Sequence, residues 1–302
     1  MQTQTPSRVS EQSLELSERA TAFGGIILLG GAVRSTEFAS AIQRSILDLP
    51  LGGGASLLSH WESEISALSR HLGMSEIPAR VIIGRNSPQP TSAARITIER
   101  DPVEFRGTAG ILRDLARDYG DDDLLLVANS NHLSVEPLSD QVERLLSATG
   151  DVRLLAAHNH APAGLMLLRR GVLHEIAPTG FVDFKEQALP AIARRHAVRV
   201  IAAVRSPGFS IRSWEDYLAA LRARHRGSSD ETDSPYEESW RPRFRIVEEP
   251  ADVDGAAVVH DSVILRGGRV EHGATVVRSL IGPTGLVRRG QSAIGQVITG
   301  PT

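Results

Sequence analysis

Two glycine-containing segments are the first candidates for ligand chemistry in this chain of 302 residues. An apolar run ends in the pair Gly30 and Gly31, and a later segment reads Gly107-Thr108-Ala109-Gly110. Glycines that follow a buried strand let a ligand approach the backbone, where exposed N–H groups can hold a phosphate. Each segment also has a purely structural explanation, which stays open. The glycine pair could form only a tight turn, and Thr108 could be only the N-cap of a helix.

The basic residues are distributed unevenly between the two types. Of the 33 basic residues, 32 are arginines, and Lys185 is the single lysine, so any mechanism that needs a second lysine is excluded. The net charge of −3 predicts no general attraction for nucleic acid or a membrane surface. The absence of cysteine excludes disulfides, thiolate nucleophiles and cysteine metal sites.

Other polar residues are weaker candidates. His158 and His160 alternate at the end of a predicted strand and could ligate a metal from one face, but the sequence offers no convincing third ligand. Asp183 and Glu186 flank Lys185 and could hold a divalent ion, or one of them could orient the lysine. The run Asp121–Asp123 is predicted to be a solvated turn.

Alternating apolar strands and amphipathic helices must position these residues, and this alternation predicts an α/β layered sheet. The strands are predicted at 24–31, 79–83, 95–99, 124–128 and 153–157, and the helices at 56–72, 109–119, 138–148 and 213–226. Because the strands at 24–31 and 124–128 are apolar throughout, we expect both faces of the sheet to be covered.

The residues after about 246 show an internal repeat. Val253, Val270 and Val287 are spaced by 17 residues, and apolar positions recur about every six residues between them. Three short strands per coil, stacked with these side chains inside, would form a triangular solenoid of the hexapeptide type. An ordinary β-meander is the alternative.

The domain limits follow from these patterns. We expect a polar N-terminal extension over 1–20, an α/β domain over 21–226, a linker over 227–245 and a short β-helix over 246–302. No apolar run approaches the 20 or so residues of a membrane span, and the first residues do not resemble a signal peptide. The expected location is the cytoplasm.

Several segments resemble, in the same order, those of the sugar-1-phosphate nucleotidylyltransferases of the mannose-1-phosphate guanylyltransferase and glucose-1-phosphate thymidylyltransferase type. They are IILLGG (26–31), LPLGGGASLLSHW (49–61), RGTAGILRDL (106–115), DDLLLVANSNHL (122–133), PAGLMLLRR (162–170), GFVDFKEQALPAI (180–192) and GFSIRSWEDYLAA (208–220). The resemblance covers roughly residues 22–298. It implies a Rossmann-like nucleotide-diphospho-sugar transferase domain followed by a short left-handed β-helix.

The resemblance also implies roles for individual residues. The nucleotide side would be formed by Gly30, Gly31, Arg34, Gly107, Thr108, Ala109, Gly110 and Asn129. The sugar-phosphate side would be formed by Gly164 and Lys185.

Other motif positions depart from the family pattern. The two aspartates that hold Mg²⁺ in the family are replaced by Asn131 and Ser210, which carry no negative charge. Arg34 stands one residue out of register with the arginine of the first glycine loop, and the position of the catalytic lysine falls near Ile46. The metal site therefore looks degenerate, and no catalytic residue can be assigned.

Three functions remain open from the sequence. The first is a divergent family member, a pseudoenzyme or regulatory subunit, that binds a nucleotide, nucleotide sugar or sugar phosphate with lost or reduced catalysis. The second is an active transferase in which Asp48, Asp183 or Asp216 supplies the Mg²⁺ site, and Arg34 and Arg44 clamp the phosphates. The third is a scaffold without a ligand. We expect a homo-oligomer, or a partner subunit, to assemble through the β-helix, because a short solenoid has ends to cover.

Overall fold

The computed structural model describes residues 22–30, 37–91, 93–101, 106–157, 162–203, 207–225 and 243–300. Of the predicted site residues, Gly31, Arg34, His158 and His160 lie outside these ranges, as do the N-terminal extension and most of the linker. Within them, none of the helices combines the length and apolar character that a membrane crossing requires.

The helices, numbered in chain order, are α1 (Glu37–Ile42), α2 (Leu57–His71), α3 (Gly107–Leu115), α4 (Leu138–Ser147), α5 (Leu189–Ile192) and α6 (Trp214–Arg224). The strands are β1 (Phe23–Gly30), β2 (Pro50–Gly52), β3 (Ala55–Ser56), β4 (Ala79–Ile83), β5 (Thr97–Arg100), β6 (Leu124–Asn129), β7 (His132–Ser134), β8 (Val152–Ala156), β9 (Pro162–Arg169), β10 (Val198–Ala202), β11 (Gly208–Ser210), β12 (Arg245–Val247), β13 (Asp252–Val253), β14 (Val258–His260), β15 (Ser262–Ile264), β16 (Arg269–Val270), β17 (Thr275–Val277), β18 (Leu280–Ile281), β19 (Leu286–Val287), β20 (Ser292–Ile294) and β21 (Val297–Ile298).

The chain divides into two compact units that are discontinuous in sequence. The first takes the described residues of 1–34, 61–87 and 92–208, and the second takes those of 35–60, 88–91 and 209–302. The domain limits expected from the sequence stay predictions.

The first unit is built on a sheet of seven strands in the order β10-β8-β9-β6-β1-β4-β5. Six strands are parallel to one another, and β9 runs antiparallel between β6 and β8. The prediction of an α/β layered sheet is confirmed. Strand β9 has no counterpart among the predicted elements.

Helices cover both faces of this sheet, as the apolar strands predict. On one face, Ile27 and Val127 pack in a buried cluster with Ala109 of α3, with Phe184 and with Ile192 of α5. On the other face, α4 packs against β8 and β9. Helix α4 is also joined to α2, since the backbone N–H of Leu138 donates to a carboxylate oxygen of Glu64 at 2.7 Å.

The second unit contains three small parallel sheets, ordered β12-β15-β18-β21, β13-β16-β19 and β14-β17-β20. Every paired residue lies 17 positions from its partner, as in the series Val253, Val270 and Val287, so the predicted 17-residue spacing is confirmed. The side chains predicted to point inward form one buried cluster, with Val253 partly buried beside it.

The same 17-residue spacing governs the backbone at one corner of each repeat. Asp261, Arg278 and Gly295 all have a positive φ, of 46°, 46° and 62°. Asp261 tolerates this conformation because its carboxylate accepts hydrogen bonds from the backbone N–H groups of Arg243 (2.6 Å) and Phe244 (3.3 Å).

Candidate functional site

The carboxyl ends of β1 and β6 lie side by side in the first unit. Leu29 is paired with Asn129, and the backbone N–H of Ser130 donates to the carbonyl of Leu29 at 3.0 Å. Within the sheet, β4 is the neighbour of β1 on one side, and β6, which comes later in the chain, is its neighbour on the other side. Ligands of open α/β sheets bind at such a switch point, outside the carboxyl ends of the strands.

Three of the predicted site residues meet at this edge of the sheet. A side chain at Gly30 would collide with the carbonyl oxygen of Ile82, so glycine is required there. Gly164 has a φ of +77°, and a Cβ on it would lie 3.1 Å from Nδ2 of Asn129. Strand β9 is antiparallel to β6, so its first residues reach the edge where β6 ends. The exposed Asn129 therefore has Gly164 as a close neighbour.

The turn after β6 is held in place by a hydrogen bond from a buried tryptophan. Ser130 is buried, and its carbonyl accepts a hydrogen bond from Nε1 of Trp61 at 2.9 Å. Asn131 follows and is half-buried. Ser210, at the end of β11, is also half-buried. Neither residue brings a negative charge to the position where the resemblance calls for one.

His132, which follows this turn, is a buried titratable group that the sequence did not point to. It is only 1% exposed, and Nε2 lies 3.4 Å from the carbonyl oxygen of Pro207. Burial away from water lowers the pKa of the imidazole from its usual 6.5 to about 4. Its Nδ1 atom has no hydrogen-bond partner among the described residues, and burial keeps the imidazole neutral.

A second group of predicted residues meets at the start of α3. Gly107 has a φ of +71°, and a side chain on it would overlap the carbonyl oxygen of Val182. The backbone N–H of Ala109 donates to that carbonyl at 3.1 Å, and the N–H of Val182 donates to the carbonyl of Arg106 at 3.0 Å. The segment that leads to Lys185 is thus fastened along the first turn of α3.

The alternative that Thr108 is only the N-cap of a helix is wrong. Helix α3 begins two residues earlier than predicted, at Gly107, and the cap position is Arg106. The Thr108 hydroxyl instead accepts a hydrogen bond from the backbone N–H of Phe184 at 3.0 Å, and it lies 3.4 Å from Oδ2 of Asp183. Tertiary contact therefore uses the hydroxyl that local capping would have used.

The other two residues of this motif serve packing. Ala109 is completely buried, so its side chain has no access to a ligand. Gly110 makes room for the guanidinium of Arg106, because a Cβ there would lie 3.0 Å from its Cζ. That guanidinium is itself buried and binds Asp114 (2.9 Å) and the carbonyl of Gly180 (3.1 Å).

Lys185 lies in the single π-helical turn Phe184–Ala188. Oδ1 of Asp183 caps this turn by accepting hydrogen bonds from the backbone N–H groups of Lys185 (2.8 Å) and Glu186 (3.0 Å). The Lys185 side chain is exposed, and no carboxylate in the described part of the chain forms an ion pair with its ammonium. Asp183 therefore fixes the backbone of the lysine and leaves its charge free.

The residues proposed for a rearranged metal site have other partners. Oδ1 of Asp48 accepts from the N–H of Thr91 (2.9 Å), and Oδ2 of Asp216 accepts from the N–H of Arg212 (3.0 Å). Arg44, proposed as a phosphate clamp, pairs with Glu248 at 2.6 Å. Within the described ranges, no group of three or more His, Asp or Glu residues could hold a metal ion.

The aspartate run 121–123 lies at an exposed turn, as predicted, and its carboxylates also have partners. Asp121 pairs with Arg170 and His174, Asp122 pairs with Arg169, and Asp123 accepts from the N–H of Gly120. The hydrogen bonds from His174 and Arg170 lower the pKa of Asp121. These residues tie the turn to the end of β9.

Thr108 provides a first test of the contact between α3 and the lysine segment. We expect Thr108→Val to lower the free energy of unfolding by about 1 kcal/mol, because the N–H of Phe184 loses its acceptor. Thr108→Ser keeps the hydroxyl and should retain most of the stability. Urea unfolding of both variants checks this, and an equal loss in both would show that the hydroxyl is not the stabilising group.

Comparisons with known proteins place the fold. A Bacillus anthracis protein described as a glucose-1-phosphate thymidylyltransferase was solved in complex with sucrose. It superposes with a TM-score of 0.50 at 14% identity, over 66% of this chain and 94% of that one. The fold is nucleotidyltransferase-like. Rv0371c from Mycobacterium tuberculosis H37Rv (TM-score 0.45, 15% identity, 66% and 98% covered) and its homolog from Mycobacterium sp. strain JC1 (0.44, 15%, 65% and 94%) are also similar. No protein-family model and no curated protein sequence matches the chain.

Proposed function

We propose that this nucleotidyltransferase-like protein binds a nucleotide, a nucleotide sugar or a sugar phosphate, and that it does not catalyse nucleotidyl transfer. The observation that carries the proposal is the chemistry of the edge where β1 and β6 end. At this edge the exposed amide of Asn129 lies beside Gly164, and an amide stands at Asn131 where catalysis requires a carboxylate.

The positive charge of the Lys185 side chain supports a binding role. Lys185 is exposed, has no ion-pair partner among the described residues, and is fastened to the first turn of α3 through Thr108 and Asp183. Because its backbone is already fixed, pairing of this cation with a phosphate requires ordering of the side chain alone. Arg44 is committed to Glu248, so the clamp of the active-enzyme alternative is weakened.

The missing negative charge argues against turnover. Nucleotidyl transfer builds charge on phosphoryl oxygens, and Mg²⁺ held by carboxylates is the usual means of stabilising it. Asn131 and Ser210 do not fit that requirement, and the chain has no lysine besides Lys185. We therefore favour a pseudoenzyme or regulatory subunit over an active sugar-1-phosphate nucleotidylyltransferase with a rearranged Mg²⁺ site.

For the second unit, we propose a short left-handed β-helix that contacts a second copy or a partner subunit. The three parallel sheets with a 17-residue spacing support the solenoid. A strand at the end of a parallel sheet can pair with another chain, which favours association at the ends of the solenoid.

A binding screen with a lysine variant tests the function. Thermal-shift measurements with nucleoside triphosphates, nucleotide sugars and sugar 1-phosphates, with and without Mg²⁺, should give a shift for at least one ligand class. Lys185→Ala should abolish the shift with sugar phosphates, because the phosphate loses its only lysine. Arg194→Ala, which removes another exposed cation, is the matched control and should leave the shift unchanged.

Each alternative predicts a different result in the same experiments. Release of pyrophosphate from a triphosphate and a sugar 1-phosphate, at rates typical of transferases, would establish the active enzyme and contradict our proposal. Absence of a shift with every ligand would leave the scaffold. A shift that Lys185→Ala does not alter would remove Lys185 from the site.

A further inference from the structure

Phe181 is a large apolar side chain in an unusual position. It is 54% exposed, and it lies four residues before Lys185 in the segment that is fastened to α3. An aromatic ring left in water forgoes the stabilisation that burial would bring. The same short segment therefore exposes an aromatic ring and, four residues later, the side chain of Lys185.

The backbone on both sides of Phe181 is held so that the ring stays outside. The carbonyl of Gly180 accepts a hydrogen bond from Nη1 of Arg106 at 3.1 Å. The N–H of Val182 donates to the carbonyl of Arg106, and the carbonyl of Val182 accepts from the N–H of Ala109. These bonds fix the backbone on both sides of Phe181 against the first turn of α3.

The buried Arg106 anchors this arrangement. Its Nε atom pairs with Asp114 at 2.9 Å, and the guanidinium has only 8% of its side-chain surface exposed. Glycine at position 110 leaves space for it. The exposed ring of Phe181 and the free ammonium of Lys185 are thus presented by one braced segment beside Thr108.

We propose that Phe181 contacts the ligand directly: its ring stacks on the base of a bound nucleotide while the Lys185 ammonium pairs with the phosphate. This inference rests on the proposed function, which it narrows from three ligand classes to those that carry a base. Stacking on an aromatic ring tolerates every base, because each base has a flat face.

Calorimetric titration of the full chain with the diphosphates of adenosine, guanosine, uridine and thymidine tests the stacking contact. For the diphosphate that binds, we expect Phe181→Ser to raise the Kd about tenfold or more. Phe181→Trp should restore the affinity, because tryptophan keeps an aromatic face. Val200→Ser, which replaces another exposed apolar side chain (64% exposed), should leave the Kd within about twofold.

Inorganic pyrophosphate separates the two contacts. Used as a competitor, it reports its own Kd for each variant. This Kd should be about equal for the wild type and for Phe181→Ser, because both keep the phosphate contact. It should be higher for Lys185→Ala, which lacks the ammonium. An unchanged nucleotide Kd in Phe181→Ser, or failure of tryptophan to restore it, would overturn the stacking contact. Binding of sugar phosphates without any nucleotide would overturn the inference but keep the proposed function, whereas no binding at all would end both.

Discussion

Replacing Gly107 by alanine is expected to lower the free energy of unfolding by about 2–5 kcal/mol. Two costs combine at this position. The φ of +71° strains any residue with a Cβ, and that Cβ would overlap the carbonyl oxygen of Val182. Relief would require the lysine segment to move away from α3 and would break the hydrogen bond from Ala109 to Val182.

A matched glycine in the same unit isolates the contact from the strain. Gly73 has a φ of +68°, and nothing lies within 4 Å of a Cβ built on it. Gly73→Ala should therefore cost about 1–2 kcal/mol, which is the conformational part alone. Urea unfolding of both variants gives the difference. Equal losses would show that Val182 does not press on position 107.

His132 predicts an acid-dependent loss of stability of about 3 kcal/mol, which develops between pH 6.5 and about 4. In the folded protein the imidazole stays neutral, because its pKa is lowered to about 4 by burial. The unfolded chain takes up the proton from about pH 6.5 downward, so acid favours unfolding throughout this window. Above pH 6.5 the stabilisation is complete, and below about 4 the group contributes no further change.

Denaturant unfolding at a series of pH values measures this slope. The variant His132→Gln lacks the titrating group, so its stability should change less than that of the wild type between pH 6.5 and 4. His71→Gln, at a side chain that is 40% exposed, is the control and should retain the wild-type slope. A wild-type stability that stays level across the window would contradict the prediction.

Local patterns in the sequence predict most of the fold. The apolar runs at 79–83 and 124–128 coincide with β4 and with nearly all of β6, and the 17-residue spacing gives the pairing of Val253 with Val270. These features depend on periodicity within a short stretch of chain, which the residues themselves display. Strand β9 was not predicted, although its run of apolar residues resembles those of β1 and β6.

The site depends on contacts between distant parts of the chain, and these could not be predicted. Thr108 binds Phe184 across 76 residues, and Arg44 pairs with Glu248 across 204 residues. Spacing along the sequence does not encode such partners. The exposure of Phe181 and the burial of His132 likewise follow from tertiary structure, although an aromatic residue near the only lysine was visible in the sequence.

The positive-φ residues Asp261, Arg278 and Gly295 set the length of each repeat in the second unit at 17 residues. Each repeats the same left-handed corner after 17 residues, and the buried side chains of Ser262 and Ser279 accept hydrogen bonds from the N–H groups of Ser279 (3.0 Å) and Gln296 (3.1 Å), again 17 residues on. Gain or loss of a single residue within a repeat would move every later corner and serine out of step. Insertions and deletions of whole 17-residue blocks would preserve the stacking, so we expect related chains to differ in this region by complete repeats.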